Sequence, residues 1–456
     1  MINPAIFRDY DVRAIIPQEL DGSGAARIGQ VLVAMFQPQT VAIGHDMRIS
    51  AEEIAGGLTE GILKQGADVI DLGLISTDMA YYAAAKYGYD LALSVSASHN
   101  PSEYNGFKLV KKGAVAVSGD SGIYDIRDQA VSQKPIQPAQ QRGKKIQRDI
   151  SDDYIQHCFK FVDVKKIKPF KVVIDAGNAM AGYMMPKFAK FLPLKIIPLF
   201  FELDGTFPNH VPNPLIPENN QTLIKKVKEE KADLGMAFDG DADRIYFFTE
   251  NGQFISGTIT MAMITEVLLK KNPGATILYN AIVGRVVSEL ISKLGGQGHR
   301  VRVGHTLIKE AMRKYDALFA GEHSAHYYYR DHFYADGAFI TMLMVLELLS
   351  ERSQPLSAVA AEFDQYPLIP ETNFEVEDKE GVMKQIEGKY QAKAQKIDWL
   401  DGITVWFSDS WVNVRPSHTE PLLRLNIEAD NQVILKARQQ EFNQLLVSLG
   451  AKLASA

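Results

Sequence analysis

Short apolar runs alternate with longer amphipathic segments through most of this sequence. TVAIG (40–44) precedes AEEIAGGLTEGILKQG, and DLALSVS (90–96), KVVIDAG (171–177), DLGMAF (233–238) and TILYNA (276–281) continue the rhythm. A run that is apolar at every position belongs to a strand buried on both faces. A helix-length connection between such strands makes the βαβ unit of a sheet covered on both sides. The pattern predicts α/β architecture.

The tail is different. GITVWFS, WVNVRPS and LLRLNIEAD read as strands, and QVILKARQQEFNQLLVSLG as a helix, which makes a smaller α+β unit. Boundaries are expected where the pattern gives way to Pro, Gly and uncompensated charge: at KPIQPAQQRGKKIQRDI (134–150), near ENGQFISGT, and at SQPLSAVAAEFDQYPLIPE (353–371). The chain of 456 residues then divides into four domains, 1–149, 150–252, 253–366 and 367–456. KKVKEEK reads as a solvated helical face with its own ion pairs, and FITMLMVLELL as core packing.

Composition narrows the function. With 49 basic and 55 acidic side chains the net charge is −6, which opposes binding a polyanion through a basic face, so no nucleic-acid partner is expected. The longest apolar stretch, Ala338 to Leu346, is too short to span a bilayer, and MINPAIFRDYDVR has no apolar leader core. The single cysteine, Cys158, forms no intrachain disulfide and reads as a buried small hydrophobe. A cytoplasmic protein without a membrane partner is expected.

Four segments carry chemistry. In Asp239-Gly240-Asp241-Ala242-Asp243-Arg244, between two apolar runs, carboxylates at alternate positions of a tight turn repel one another unless a cation sits among them. Hard oxygen donors suit Mg²⁺, Ca²⁺ or Mn²⁺. An EF-hand is rejected, because its sixth position needs glycine and holds Arg244, and the flanks read as strands. The alternative is a solvated acidic hairpin; Arg244 beside the triad instead suggests an anion meeting the metal. Ser96-Ala97-Ser98-His99-Asn100-Pro101 follows the strand DLALSVS, at the strand end where α/β sheets bind ligands, and makes Ser98 a candidate nucleophile. Adjacent His99 is not expected to face it, and a plain turn is the alternative. In Gly321-Glu322-His323-Ser324-Ala325-His326, Glu322 and Ser324 pair an acceptor with a donor as vicinal sugar hydroxyls require. His326 could move a proton, and His323 is read as structural. In Arg415-Pro416-Ser417-His418-Thr419-Glu420-Pro421, a planar fork, two hydroxyls and turn amides make a phosphate cradle, with a proline turn as the alternative.

Together these segments resemble the α-D-phosphohexomutase superfamily, and most closely its bacterial phosphomannomutase/phosphoglucomutase branch, over nearly the whole chain. The resemblance implies four domains around a central cleft, three related α/β domains followed by a smaller, mobile α+β domain. It implies that Ser98 carries the phosphoryl group and joins Asp239, Asp241 and Asp243 in binding Mg²⁺. It implies that Glu322 and Ser324 read sugar hydroxyls, and that Arg415, Ser417 and Thr419 clamp the phosphate that is not reacting. Lys108, in Tyr104-Asn105-Gly106-Phe107-Lys108, and His326 match proposed proton-transfer groups; Tyr10, Arg13, Arg244 and His305 match positions lining the cleft.

The activity implied is reversible interconversion of mannose 6-phosphate and mannose 1-phosphate through a phosphoserine and a hexose 1,6-bisphosphate, with that bisphosphate as activator. The enzyme would be a monomer or dimer acting on phosphorylated hexoses. A phosphoglucomutase or an enzyme of dual specificity is the alternative within the family; a phosphoserine-forming sugar phosphatase would have no need of the second phosphate cradle. The sequence departs from the family at Ser96, where threonine is frequent, and at His418, where asparagine is. It also departs at Ala14, for a frequent glycine, and at Ile282, where some relatives carry a lysine.

Overall fold

A computed structural model describes residues 2–132, 134–417 and 422–454. The chain forms two compact units, Met1–Ser256 with Ser324–Val359, and Gly257–His323 with Ala360–Ala456.

In the first unit the opening sheet runs in the order Val12–Ile15, Tyr104–Lys111, Leu91–Val95, Thr40–His45, Asp68–Leu74, Lys145–Gln147. The Thr40–His45 strand is parallel to both neighbours, and Leu91–Val95 turns back antiparallel into Tyr104–Lys111. The apolar runs become its central strands because they can be buried on both faces, as the all-buried Leu91–Val95 is. AEEIAGGLTEGILKQG supplies the helix Ala51–Lys64, which packs on Gly22–Phe36. Gly61 permits that approach: a Cβ there would lie 1.9 Å from the Ala26 carbonyl oxygen. Within the boundary stretch 134–150, Lys145–Gln147 adds an exposed edge strand parallel to Asp68–Leu74.

The second sheet of this unit has the order Phe254–Ile255, Ile245–Thr249, Leu234–Phe238, Phe170–Asp175, Leu194–Leu199. Its central strand Leu234–Phe238 is parallel to Phe170–Asp175 and antiparallel to Ile245–Thr249, so Asp239–Arg244 is the connection at its carboxyl end. The returning segment contributes the hairpin Tyr327–Tyr329 with Ala335–Asp336 and the helix Ala338–Arg352, buried from Ala338 to Ser350. Phe339 of that helix stacks on Phe188 and Phe238 at 4.8 and 5.3 Å. FITMLMVLELL is core, as its all-round apolarity requires. Cys158 is fully buried and free.

In the second unit, Thr276–Asn280 lies parallel between Gln297–Val301 and Phe319–Gly321, with helices Gly257–Lys271, Arg285–Lys293 and His305–Tyr315. The tail forms a sheet in the order Lys396–Asp398, Ile403–Trp406, Ser410–Pro416, Leu422–Ala429, Thr372–Glu375, Lys452–Leu453, its named pairings antiparallel. Its core includes Ile386, Tyr390, Val405, Val412, Leu425, Phe442 and Leu446. Among the described residues, no helix is long and apolar enough to cross a membrane.

Candidate active site

The serine loop follows the buried strand Leu91–Val95. Ser98 takes the left-handed conformation, φ +50°, its backbone N–H bonded to Ser96 Oγ at 2.9 Å. Its own hydroxyl donates to Asp239 Oδ2 at 2.8 Å and receives Arg244 Nη2 at 3.3 Å. The serine loop and the acidic turn therefore meet at one hydroxyl. Gly240 permits this: a Cβ would stand 2.3 Å from the Ser98 carbonyl oxygen.

His99 does face its neighbour, contrary to the sequence reading, with Nδ1 3.3 Å from Ser98 Oγ. The same Nδ1 meets Arg244 Nη2. Because a guanidinium only donates, this nitrogen accepts and the ring is neutral; burial and then Arg244 hold His99 well below the ordinary histidine range.

Asp239, Asp241 and Asp243 are all buried, with carboxylate oxygens within 4.8 Å of one another. Asp241 Oδ2 accepts from Thr77 Oγ1 at 2.5 Å and from Lys108 Nζ at 2.9 Å, while Asp243 Oδ2 accepts from Lys108 at 2.5 Å. Asp241 Oδ1 and Asp243 Oδ1 are buried with no hydrogen-bond partner among the described residues. Buried, unpartnered carboxylate oxygens in a converging set fit a hard divalent cation. The acidic cluster can bind a metal ion.

Electrostatics divides the cluster. Burial, with Asp243 and Asp241 adding to it against Arg244, pushes the Asp239 carboxyl up to about 8. Burial would raise Asp241 too, but Lys108 and the Thr77 hydroxyl reverse this and hold it far below the carboxylate range. Lys108, which burial alone would lower, is carried well above the ordinary lysine value by Asp241 and Asp243.

His326 stands beside the turn, Nε2 3.6 Å from Asp243 Oδ1 and Nδ1 3.0 Å from Ser324 Oγ. Burial and then Arg244 keep its ring well below the usual pKa. Ser324 is further tied by its carbonyl, which accepts from Tyr246 OH at 2.8 Å. Arg13 bonds Asp11 at 2.8 Å and also reaches Asn100 of the serine loop, with half-buried Tyr10 nearby in sequence.

In the second unit, Glu322 is buried at the end of Phe319–Gly321 and accepts from Asn280 Nδ2 at 3.3 Å. His305 opens the helix His305–Tyr315, and buried Ile282 closes the strand-end stretch after Thr276–Asn280. Arg415, next to last in the strand Ser410–Pro416, lies directly opposite Arg424 of Leu422–Ala429. One carboxylate serves both, Glu371 taking Arg415 Nη2 at 3.0 Å and Arg424 Nη1 at 3.2 Å, with Asn426 Nδ2 at 3.1 Å. Arg424 Nη2 also reaches Ser417 Oγ at 3.4 Å. Thr419, with His418, Glu420 and Pro421, lies outside the described residues.

Sequence reasoning missed Thr77, Asp336, Glu371, Arg424 and Arg48. Asp336 forms a second convergent set with Asp243 and His326. Arg48 had one available signal: Asp46-Met47-Arg48 follows the apolar run TVAIG, at the strand end where α/β sheets place their sites.

Family models for phosphoglucomutase/phosphomannomutase match the chain in order: alpha/beta/alpha domain I over residues 4–134, domain II over 152–252, domain III over 256–366 and the C-terminal domain over 371–445. The chain belongs to this family. Its members are isomerases, and the expected composition of three α/β domains and a smaller last one holds. Among relatives, the phosphomannomutase of Salmonella montevideo is 36% identical over 457 residues, covering 98% of this chain and 100% of its own. The Escherichia coli K12 phosphomannomutase is 36% identical, covering 96% and 98%. A Xanthomonas campestris relative described as phosphohexose mutases is also 36% identical, over 96% and 98%. A solved phosphoglucomutase/phosphomannomutase family protein of Burkholderia thailandensis superposes with TM-score 0.90 at 32% identity, over 98% of each chain. The Aspergillus fumigatus N-acetylphosphoglucosamine mutase solved with GlcNAc-6P and magnesium shares the fold, at TM-score 0.56 and 13% identity.

Proposed function

We propose that this phosphohexomutase is a phosphomannomutase, interconverting mannose 6-phosphate and mannose 1-phosphate through phospho-Ser98 and a hexose 1,6-bisphosphate. The observation that carries the mechanism is the meeting of Ser98 Oγ with Asp239 and Arg244 at 2.8 and 3.3 Å. The sugar assignment rests on phosphomannomutases 36% identical over their full length.

Phosphoryl transfer needs positioning and charge neutralisation more than covalent help. Asp239, Asp241 and Asp243, with Ser98, would hold Mg²⁺, which when bound neutralises charge on the phosphoryl oxygens. Arg244, fixed against Asp239, faces the same oxygens. Arg415 and Ser417 grip the phosphate that is not reacting, with Thr419 of the same sequence motif. Glu322 and Ser324 read the sugar hydroxyls, and Tyr10, Arg13 and His305 are further substrate-binding residues.

Two proton-transfer groups stand by the turn. His326, kept neutral by burial, is suited to take the proton of the attacking hydroxyl, and Lys108, kept charged by Asp241 and Asp243, to give one. In the first half-reaction the sugar oxygen forms its bond to phosphorus as the Ser98 Oγ–P bond breaks. In the second, Ser98 Oγ takes the other phosphoryl group from the reoriented bisphosphate, which also serves as activator by charging an unphosphorylated Ser98.

The test is a coupled assay of mannose 1-phosphate against glucose 1-phosphate, with and without bisphosphate, on wild type and Ser98→Ala. Mannose 1-phosphate is expected to give the higher kcat/KM, and Ser98→Ala to lose turnover. Equal values for both sugars would move the enzyme to dual specificity. Wild-type turnover by Ser98→Ala would remove the carrier.

A further inference from the structure

Ser98 holds a left-handed backbone conformation that is strained for a non-glycine residue, and a contact from outside the loop holds it there. The holder is Arg48, fifty residues upstream in sequence on the connection between strand Thr40–His45 and helix Ala51–Lys64.

Its guanidinium is fully buried and spends both terminal nitrogens on backbone carbonyls of a single loop. Nη2 donates to Ser98 at 2.8 Å and Asn100 at 2.6 Å; Nη1 donates to Pro101 at 2.7 Å and Tyr104 at 2.9 Å. Arg48 is aimed in turn. Asp46 accepts from the Arg48 backbone N–H at 3.0 Å and faces Nε at 3.4 Å, and Asp46 is anchored by its own N–H on the Val95 carbonyl at 3.0 Å. The Phe207 ring lies 5.0 Å from the guanidinium carbon.

Such an arrangement is poorly explained by stability. Burying an ion pair costs desolvation that its attraction barely offsets, and an apolar pair of equal volume often serves as well. What an apolar pair cannot do is donate to four carbonyls from one planar fork. Lysine cannot do it either, having three donors on a single rotating nitrogen.

We propose that Arg48 is a positioning residue for phosphoryl transfer, whose fork clamps the carbonyls of residues 98, 100, 101 and 104 and so keeps Ser98 Oγ on Asp239. The proposal rests on Ser98 being the phosphoryl carrier. Arg48 touches no reacting atom; it acts through the Ser98 backbone. Its loss misplaces the nucleophile while leaving the residues assigned to the distal phosphate and the sugar hydroxyls in place, and it reaches substrate binding only through the Asn100 contact with Arg13, so kcat falls far more than KM changes. A displacement of about 1 Å at a reacting group costs on the order of 10²-fold in rate.

The experiment compares Arg48→Ala, Arg48→Lys and Ser98→Ala with wild type in the coupled assay, primed with glucose 1,6-bisphosphate. Melting temperature is recorded for each, and guanidinium chloride is titrated to about 50 mM, too dilute to unfold a domain. Arg48→Ala is expected to lose about 100-fold in kcat, with KM within about threefold, and to regain at least about tenfold on adding guanidinium. A lesion that only loosened the fold would not be rescued by a denaturant. Arg48→Lys keeps the charge and serves if Arg48→Ala fails to fold; its kcat is expected to fall at least about tenfold at near-wild-type melting temperature. Wild-type kcat in Arg48→Lys, a proportionate rise in KM, or no rescue of folded Arg48→Ala overturns the clamp. If Ser98→Ala is inactive while Arg48→Ala is unimpaired, only the clamp falls. If Ser98→Ala turns over normally, the carrier reading falls and takes the clamp with it.

Discussion

Asp241 shows how one carboxylate can be held ionised in a buried place. Thr77 and Lys108 both donate to Oδ2, leaving Oδ1 without a partner among the described residues. An asparagine would keep the shape, remove the charge, and present an amide where a cation needs an oxygen. Asp241→Asn is therefore expected to weaken Mg²⁺ binding at least about tenfold, equivalent to about 1.4 kcal/mol, in a calorimetric titration of the purified enzyme. Unchanged affinity would take Asp241 out of the ligand set. At this scale the sequence was legible wherever the chemistry is contiguous. The acidic turn is read directly, because its three carboxylates stand two residues apart, and Ser98 because it follows a recognisable strand. Thr77 was not legible: it is one threonine at a helix start, 164 residues from the carboxylate that makes it matter. Only the tertiary fold brings the two to 2.5 Å.

The strands Ser410–Pro416 and Leu422–Ala429 set Arg415 and Arg424 directly opposite each other, a like-charge pair that antiparallel register makes unfavourable. The sheet tolerates it because Glu371, near the start of the neighbouring strand Thr372–Glu375, lays one oxygen on each guanidinium. Burial would raise that carboxyl, but Arg415 and Arg424 hold it below the ordinary glutamate value. Glu371→Gln keeps the volume and removes the countercharge. It is expected to lower stability by about 2 kcal/mol, the worth of hydrogen bonds to a charged acceptor. Inorganic phosphate should then raise the melting temperature of the variant more than that of wild type, because the anion replaces the missing charge. Equal shifts in both proteins would mean that the arginine pair does not take phosphate. The strands were predictable from their alternation, and Arg415 from its loop. Glu371 was read only as part of a boundary stretch, SQPLSAVAAEFDQYPLIPE, since register is not written in composition. The edge strand Lys145–Gln147 escaped for a related reason: all its residues are exposed, so no apolar pattern marks it.

Over the whole molecule, the first unit closes only when the chain returns to it at Ser324–Val359, and one seam of that closure is a pair of histidines. His157, on the helix Ser151–Cys158, meets His332 of the returning segment at 3.0 Å, and the Phe333 ring stacks on it at 5.5 Å. Burial, aided by Lys160 and Lys86, depresses His157 to about 4. The unfolded chain binds a proton at this residue near the ordinary histidine value of about 6.5, whereas the folded chain refuses it. Between these values the unfolded state holds more protons, so the stabilisation is fully present above about pH 6.5 and is lost as pH falls toward 4. Above pH 5 this is opposed by Asp239 and Asp78, whose carboxyls burial pushes up to about 8, because the folded chain holds their protons where the unfolded chain releases them. In that range His157 by itself accounts for roughly 1.5 kcal/mol. His99 and His326, depressed for the same reason, act with the same sign, so wild-type slope alone does not isolate the seam. The difference between wild type and His157→Gln does. Glutamine offers an amide to His332 but no proton site, and its melting temperature between pH 7 and pH 5 is expected to fall less steeply than that of wild type. Parallel curves would show that the returning segment is held without this pair, and that the burial of His157 carries no charge penalty in solution.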